Sequence, residues 1–186
     1  MTLEVLMLTE MLKELDEWLV IKNRHITLHV IGGYALELKN IQRGFQTEDI
    51  DSLLSITEDE IVQKIHSIGK RYGNINWFDF GASSLTVPAG YQERLEKIKD
   101  YENIDLFVLS NSDLIKMKVA AYHSRRDRGI YRDLEDLKKL NPTTQDIAAA
   151  IIFYFDEYSK DLTGKFKLEF KKEVEELRLE LLRICK

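Results

Sequence analysis

The stretch Val30–Leu54 holds the residue types whose spacing is best suited to chemistry. An apolar run ends at Gly32-Gly33, and two aspartates, Asp49 and Asp51, follow after a short predicted helix. Side chains two apart on a strand project to the same side, so these carboxylates would repel each other unless a cation lay between them. Hard oxygen ligands of this kind suit Mg²⁺ or Mn²⁺.

The paired glycines stand where a predicted strand gives way to a helix. Free backbone N–H groups at such a junction, together with the positive end of the helix dipole, can hold phosphate. An Asp-x-Asp pair also arises by chance, and a Gly-Gly pair after a strand is often only a turn. The order and spacing of the two motifs, with a strand on either side, favour a combined metal and phosphate site.

A second set of chemistry-bearing residues lies in the segment Ser112–Leu140. Lys118 is predicted on a helix, and its compact ammonium can bind a triphosphate and neutralise charge on a leaving group. Asp133 and Asp136 share one face of the next predicted helix, where they can complete a metal site or accept hydrogen bonds from Lys118 or Arg132. The alternatives are an ordinary exposed lysine and an acidic first turn that complements the helix dipole.

Hydrophobic periodicity predicts the elements that must position these residues. A capping box at Thr57 is expected to begin the third helix, Gly73 to end it, and Thr144 to cap a later one. The predicted order is helix 3–20, strand 26–31, helix 34–39, strand 48–56, helix 58–72, short strands or irregular structure over 74–87, strand 103–109, and helices 113–125, 130–140, 145–159 and 165–184. This order predicts an α+β fold in a single domain, residues 1–186, with a mixed core over about 22–140 and a helical extension over about 143–186.

Composition narrows the class of protein. The fractions of hydrophobic (44%) and charged (32%) residues are those of a globular chain, and a net charge of −5 gives no basic field for dedicated DNA binding. The single cysteine, Cys185, cannot form an intramolecular disulfide or a zinc cluster. With no signal-peptide pattern and no apolar run of membrane-spanning length, a cytoplasmic protein is expected.

Both segments resemble the nucleotidyltransferase superfamily, which has a polymerase-beta-like sheet, and within it the bacterial AbiEii-like and DUF6036 group. The resemblance rests on Gly-Gly followed by Asp-x-Asp and on a downstream signature formed by Asp113-Leu114, Lys118, Ala121, Arg132-Asp133 and Asp136-Leu137. It implies catalytic roles for Asp49, Asp51, Lys118, Asp133 and Asp136, with Asp49 and Asp51 holding Mg²⁺ or Mn²⁺. It also implies nucleotide binding by Gly32, Gly33, Thr47 and Lys118.

The chain departs from the group's pattern, and one departure is Trp77-Phe78-Asp79-Phe80 where the group has Trp-Leu-Asn-Asp. The group commonly has Arg-x-Thr before its Asp-x-Asp; Thr47 matches, but Phe45 stands at the arginine position and Arg43 lies two residues earlier. Many nucleotidyltransferases also use a third carboxylate to activate the attacking hydroxyl. Asp79 and Asp105 are both candidates for that role, and the pattern does not choose between them.

The resemblance implies transfer of a nucleoside monophosphate from an NTP to a hydroxyl of a protein, an RNA or a small molecule. Proteins of this group are often the toxin-like partner of a toxin–antitoxin pair, so the resemblance also suggests a toxin-like role with an antitoxin-like partner. Two other functions stay open: a nucleotide-binding module without turnover, and a protein that binds a partner or a second copy through its C-terminal helices. Apolar residues at heptad-like spacing allow the last function, although packing within the chain explains them equally well: Phe166, Phe170, Val174, Leu177 and Leu181.

Overall fold

A computed structural model describes residues 3–45, 47–98 and 101–185. The chain forms two compact units. The first unit comprises Met1–Leu85 and Gln92–Ser110, and the second comprises Thr86–Tyr91 and Asn111–Lys186. The expected α+β fold, with a mixed sheet and a helical C-terminal part, is confirmed. That the chain is one domain stays a prediction.

The first unit contains the sheet and three helices. Their bounds are α1 (Leu3–Lys22), β1 (Ile26–Ile31), α2 (Gly32–Leu38), β2 (Ile50–Ser52), α3 (Asp59–Tyr72), β3 (Phe78–Asp79), β4 (Glu96–Ile98) and β5 (Ile104–Val108). The apolar stripe of α1 is fully buried at Leu8, Met11, Leu12, Leu15 and Leu19. A stripe of residues spaced three and four apart puts one helix face into the core, as the periodicity predicts.

The five strands lie in the order β3-β2-β1-β5-β4. β1 pairs in parallel with β5 and antiparallel with β2, while β2 pairs in parallel with β3. Alternate residues of the two central strands are fully buried: Leu28 and Val30 on β1, Leu106 and Val108 on β5. The opposite face of the same strands carries polar residues, including His29 and Asp105. This face is the one that also receives Asp51, because Asp51 is in register with Ile31 of β1.

The second unit is helical. Its elements are α4 (Asn111–Arg126), α5 (Arg132–Leu140), α6 (Thr144–Tyr158) and α7 (Gly164–Ile184). Val174, Leu177 and Leu181 of α7 are buried, whereas Phe166 is 70% exposed. Most of the heptad-like stripe therefore packs inside this unit, which favours the intramolecular explanation of that pattern.

Several predicted boundaries and caps are wrong. The strand that follows the glycines spans only Ile50–Ser52, not 48–56, and α2 begins at Gly32 itself. The residue that caps α3 is Glu58, and no side-chain hydrogen bond closes a box there, so the Thr57 prediction fails. The box on α6 is made by Thr143 with Asp146, one residue before the predicted Thr144. The left-handed Gly73 at the end of α3 is confirmed.

Sequence periodicity overlooked β4, which pairs antiparallel with β5 at the edge of the sheet. Its three residues, Glu-Lys-Ile, are mostly charged and exposed, so they carry no alternating apolar signal. None of the helices in the described ranges is both long enough and apolar enough to cross a membrane.

Candidate active site

The junction of β1 and α2 is built around Gly32. The strand ends at Ile31 and the helix begins at the next residue, so the chain turns without a connecting loop. Gly32 makes this turn with a φ of +67°, in the left-handed region that a side chain disfavours. A Cβ at this position would meet the carboxylate oxygen Oδ2 of Asp51. Glycine is therefore needed both for the backbone turn and for the approach of that carboxylate.

The two aspartates of the Asp-x-Asp pair flank Ile50, the first residue of β2. Ile50 is buried in the core, while Asp51 is half-buried and Asp49, just before the strand, is exposed. The alternation of β2 thus keeps the carboxylate of Asp51 out of the apolar core and places it against Gly32. The structure brings Asp51 together with the glycines, as the spacing predicted.

The donor set at this site fits a magnesium-like ion that is shared with a ligand. Asp49 and Asp51 offer only hard carboxylate oxygens, and Mg²⁺ is commonly held by one or two carboxylates together with substrate phosphates and water. Among residues 3–45, 47–98 and 101–185 there is no group of three or more His, Cys, Asp or Glu placed to hold a metal ion. A closed, all-protein metal centre is thus absent from the described part of the chain, and two carboxylates suit a metal–nucleotide complex.

Gly33 has a different neighbourhood from Gly32. A Cβ at Gly33 would meet Nη1 of Arg43 and Oγ1 of Thr47, and the same Nη1 donates a hydrogen bond to that hydroxyl. Thr47 is 3% exposed, so its hydroxyl is fixed by the fold, while Phe45 at the family's arginine position is 45% exposed. Arg43 therefore supplies a guanidinium beside the glycines from two residues earlier in the chain.

The structure distinguishes the two candidates for a third carboxylate. Asp79 on β3 is in register with Asp51 on β2, and registered residues on neighbouring strands share a face about 4.8 Å apart. Asp105 is two strands from β2 and in register with Thr27, four residues before Ile31 on β1. This offset puts Asp105 roughly 16 Å from Asp51 along the same face. Asp79 is the carboxylate that the sheet places next to the Asp-x-Asp pair.

The hydrogen bonds of the two candidates support the same choice. Asp105 contacts Lys97 Nζ at 2.5 Å and His25 Nε2 at 2.9 Å. The hydrogen bond from Lys97 lowers the pKa of the Asp105 carboxyl most, and the bond from His25 lowers it further. The charge of Asp105 is thereby matched by the Lys97 ammonium, and the His25 ring adds a second hydrogen-bond partner. Asp79 accepts a hydrogen bond from the backbone N–H of Gly81 at 2.7 Å through Oδ1. That bond orients the carboxylate through a short turn without neutralising its charge.

Lys118, Asp133 and Asp136 come together in the second unit. Lys118 Nζ lies 3.0 Å from Asp133 Oδ1 and 2.6 Å from Asp136 Oδ2, and all three residues are buried. Asp133 and Asp136 project from one face of α5 toward Lys118 on α4, as their spacing predicted. A buried ammonium with two carboxylate partners links α4 to α5.

Of the two donors expected for the aspartates, Lys118 is found and Arg132 is not, and Asp133 has a second cationic partner. Arg125 of α4, not Arg132, donates to Asp133 Oδ2 at 2.8 Å. Arg132 is the first residue of α5 and is exposed, next to Asp133 along the chain but on another side of the helix. Arg125 lies two turns after Lys118 on α4, so both cations extend from the same helix toward the same carboxylate. A helical wheel of α4 alone would have paired these two cations.

A model of the protein family described as "Nucleotidyltransferase of unknown function (DUF6036)" matches residues 6–176. The match covers both compact units, and the chain belongs to this family of nucleotidyltransferases. Membership implies a nucleoside triphosphate as substrate. Comparison with curated proteins and with solved structures finds no match.

Proposed function

We propose that the protein is a metal-dependent nucleotidyltransferase that moves a nucleoside monophosphate from an NTP to a hydroxyl group. The observation that carries this proposal is the position of the Asp51 carboxylate directly over Gly32, beside Gly33 with Arg43 and Thr47. A carboxylate of the Asp-x-Asp pair and a guanidinium thus meet at one strand–helix junction. Family membership supplies the class of reaction, and this junction supplies the groups that the reaction requires.

The reaction follows from the chemistry of these groups. The acceptor hydroxyl oxygen attacks the α-phosphorus, the bond from that phosphorus to the bridging oxygen breaks, and pyrophosphate leaves. A Mg²⁺ or Mn²⁺ ion held by Asp49 and Asp51 would polarise the phosphate and lower the charge repulsion against the attacking oxygen. Glycine at residues 32 and 33 lets the phosphates approach the backbone closely. Because α2 has only seven residues, we attribute little phosphate binding to its dipole.

Asp79 is proposed as the general base. A carboxylate in register with Asp51 can accept the proton of the acceptor hydroxyl as the new P–O bond forms. Its hydrogen bond from Gly81 fixes one carboxylate oxygen, and the other oxygen is the proposed proton acceptor. Lys118 as a triphosphate ligand and Asp133 and Asp136 as its supports complete the set that the family resemblance implies.

The first experiment measures thermal stabilisation by each NTP with Mg²⁺ or Mn²⁺. A ligand at one hundred times its Kd adds about 2.7 kcal/mol to the free energy of unfolding, a shift of several degrees in Tm. We expect the wild type to show this shift only with metal and the Asp49→Asn/Asp51→Asn variant to lose it. A folded wild type that no NTP stabilises would contradict the proposal.

The second experiment measures turnover with α-labelled NTP and a mixture of RNA and protein acceptors. Asp79→Asn is expected to keep nucleotide binding and to lose label transfer by about 10²-fold or more, because only the base is removed. Asp105→Asn is the matched control on the same sheet face and is expected to transfer label normally. Equal losses in the two variants would remove Asp79 from the mechanism, and binding without any transfer would favour the module without turnover.

In cells, we propose that this transferase activity makes the protein act as a toxin. This role is tested by inducing the wild type and the Asp49→Asn/Asp51→Asn variant to equal levels in bacterial cells. Growth arrest by the wild type alone is the expected result, and the arrest is expected to disappear when an antitoxin-like partner is co-expressed. Equal growth of both cultures would contradict the toxin role and leave the transferase chemistry standing.

A further inference from the structure

Helix α7 has a second regular pattern on the side opposite its buried residues. The buried side consists of Val174, Leu177 and Leu181. On the other side, four exposed residues follow one another at spacings of four, three and four and form the outer stripe: Leu168, Lys172, Glu175 and Leu179. This is the spacing of a coiled-coil seam, and its two leucines are 64% and 47% exposed.

The charges of α7 are divided between its two halves. Residues 165–172 hold four lysines and one glutamate, a net charge of +3, and residues 173–180 hold four glutamates and one arginine, a net charge of −3. The first turn carries no acidic residue, so this distribution is opposite to the one that the helix dipole favours. An antiparallel helix of the same sequence would place each half against a half of opposite charge.

The outer stripe is self-complementary about its midpoint. Leu168 and Leu179 lie equally far from that midpoint, and so do Lys172 and Glu175. Two antiparallel copies centred there therefore set Leu168 against Leu179 and Lys172 against Glu175, and each layer occurs twice by symmetry. A parallel pair would set lysine against lysine and glutamate against glutamate, so the charges select the antiparallel orientation.

We propose that the outer stripe is a surface for self-association, on which α7 of a second copy of this chain packs antiparallel. The two layers of Lys172 and Glu175 specify the register at some cost in stability, and the leucine layers on either side bury apolar area. Because each copy contributes one face of one helix, the interface is small and the dimer is weak. The transferase proposal does not depend on this dimer.

The rival explanation is a solvated helix face, in which Glu175 pairs within its own helix. Arg178 Nη2 lies 2.6 Å from Glu175 Oε1, and both side chains are at the surface. A surface pair of this kind contributes little to stability, so Glu175 can exchange it for Lys172 of the second copy. On the rival explanation, reversing a charge of the outer stripe does not change the association state.

The experiment measures sedimentation equilibrium of the full chain, in reducing buffer so that Cys185 cannot cross-link two copies. The concentrations run from about 10 µM to about 1 mM, the range of Kd expected for a weak dimer. We expect a monomer–dimer equilibrium for the wild type. Lys172→Glu and Glu175→Lys each create two layers of like charge, and either should raise the dimer Kd at least about tenfold.

Two further samples test the register itself. An equimolar mixture of Lys172→Glu and Glu175→Lys restores opposite charges in both layers of the mixed dimer, and the double variant Lys172→Glu/Glu175→Lys restores them in its own dimer. Both samples are expected to associate within about threefold of the wild-type Kd, because the facing pairs are again complementary.

Lys139→Glu is the matched control, because it makes the same charge change at an exposed lysine of α5, and it is expected to dimerise as the wild type does. Circular dichroism checks that every variant is folded. A wild type that stays monomeric over the whole range would overturn the inference. Dimerisation that neither single variant weakens, or that the mixture and the double variant do not recover, would also overturn it.

Discussion

At the scale of single residues, ion pairs hold Lys118, Asp133 and Asp136 in place. Asp133 and Asp136 are each 1% exposed and share the Lys118 ammonium, and Arg125 adds a second cation on Asp133. Buried carboxylates without such partners would carry a large desolvation cost. Lys118 is therefore a structural residue of the second unit.

We expect Lys118→Met to lower the free energy of unfolding by about 3–5 kcal/mol, because it leaves two buried carboxylates without their shared cation. Lys138→Met is the control on α5, since Lys138 is 39% exposed and pairs with Glu135 at the surface. A loss of less than about 1 kcal/mol is expected there. Urea unfolding followed by circular dichroism measures both, and equal stabilities would contradict a structural role for Lys118.

At the scale of elements, the helices of the second unit are joined by a polar network around His123 of α4. Arg126 Nη2 approaches His123 Nε2 at 3.3 Å, and Tyr154 Oη of α6 lies 2.8 Å from His123 Nδ1. Arginine only donates, so Nε2 accepts and the neutral ring carries its proton on Nδ1. Burial, together with the nearby Arg126 cation, lowers the pKa of His123. Burial is also the main reason why the pKa of Tyr154 is raised to about 12.

The same network reaches α7. Glu180 accepts from the Tyr122 hydroxyl at 2.5 Å and from Arg126 Nη1 at 2.9 Å, and Phe170 packs against the rings of His123 and Tyr154. Burial and the Glu180 carboxylate raise the pKa of Tyr122, so its hydroxyl stays a donor at neutral pH. Six side chains thereby connect α4, α6 and α7 around His123, and protonation of that ring would place a second positive charge beside Arg126.

The pH dependence of stability follows from the direction of the pKa shift. The unfolded chain protonates His123 near the ordinary value of 6.5, whereas the folded chain does so only at lower pH. The free energy of unfolding should therefore fall as the pH drops below about 6.5, by at most about 1.4 kcal/mol per pH unit, until the folded-state pKa is reached. His29, whose pKa is also lowered by burial, adds a contribution of the same sign in the first unit.

Urea unfolding between pH 5 and pH 8 measures this slope. His123→Gln should flatten the part that His123 contributes, while Tyr154→Phe keeps the titrating ring and should retain a slope of the same sign. An unchanged slope in the double variant His29→Gln/His123→Gln would show that other groups cause the dependence.

At the scale of the whole molecule, the two units provide separate spectroscopic signals. Both tryptophans, Trp18 and Trp77, belong to the first unit, and Trp77 is fully buried with its Nε1–H donating to the carbonyl of Ile65. The described part of the second unit contains four α-helices, and the sequence of this unit contains no tryptophan. Tryptophan fluorescence therefore reports the first unit alone, and helical circular dichroism reports both.

The expectation of a single domain predicts that the two signals change together on unfolding, with one midpoint and one slope in urea. Tyr158→Trp adds a tryptophan at an exposed aromatic position of α6 and gives the second unit a fluorescence signal of its own. The units unfold separately if part of the circular dichroism transition is absent from the native tryptophan fluorescence but present in the fluorescence added by Tyr158→Trp.

The sequence by itself determined the order of the elements except β4, the helical second half, and the meeting of Gly32 with Asp51. These features depend on short-range periodicity and on a spacing that a strand–helix–strand unit can close in only a few ways. The shared face of Asp133 and Asp136 was equally readable, because side chains three residues apart on a helix project to one side. Their ion pairs with Lys118 were one of the alternatives that the sequence left open.

Only the tertiary structure decided which Arg and which third Asp belong to the candidate site. Arg43 reaches Gly33 through an irregular segment whose path no periodicity encodes, and Asp79 is chosen over Asp105 by the register of β2 with β3. That Arg125, and not Arg132, donates to Asp133 likewise depends on how α5 packs on α4. Strand order, register and helix packing are set by contacts between residues far apart in the chain, and a local pattern carries little information about them.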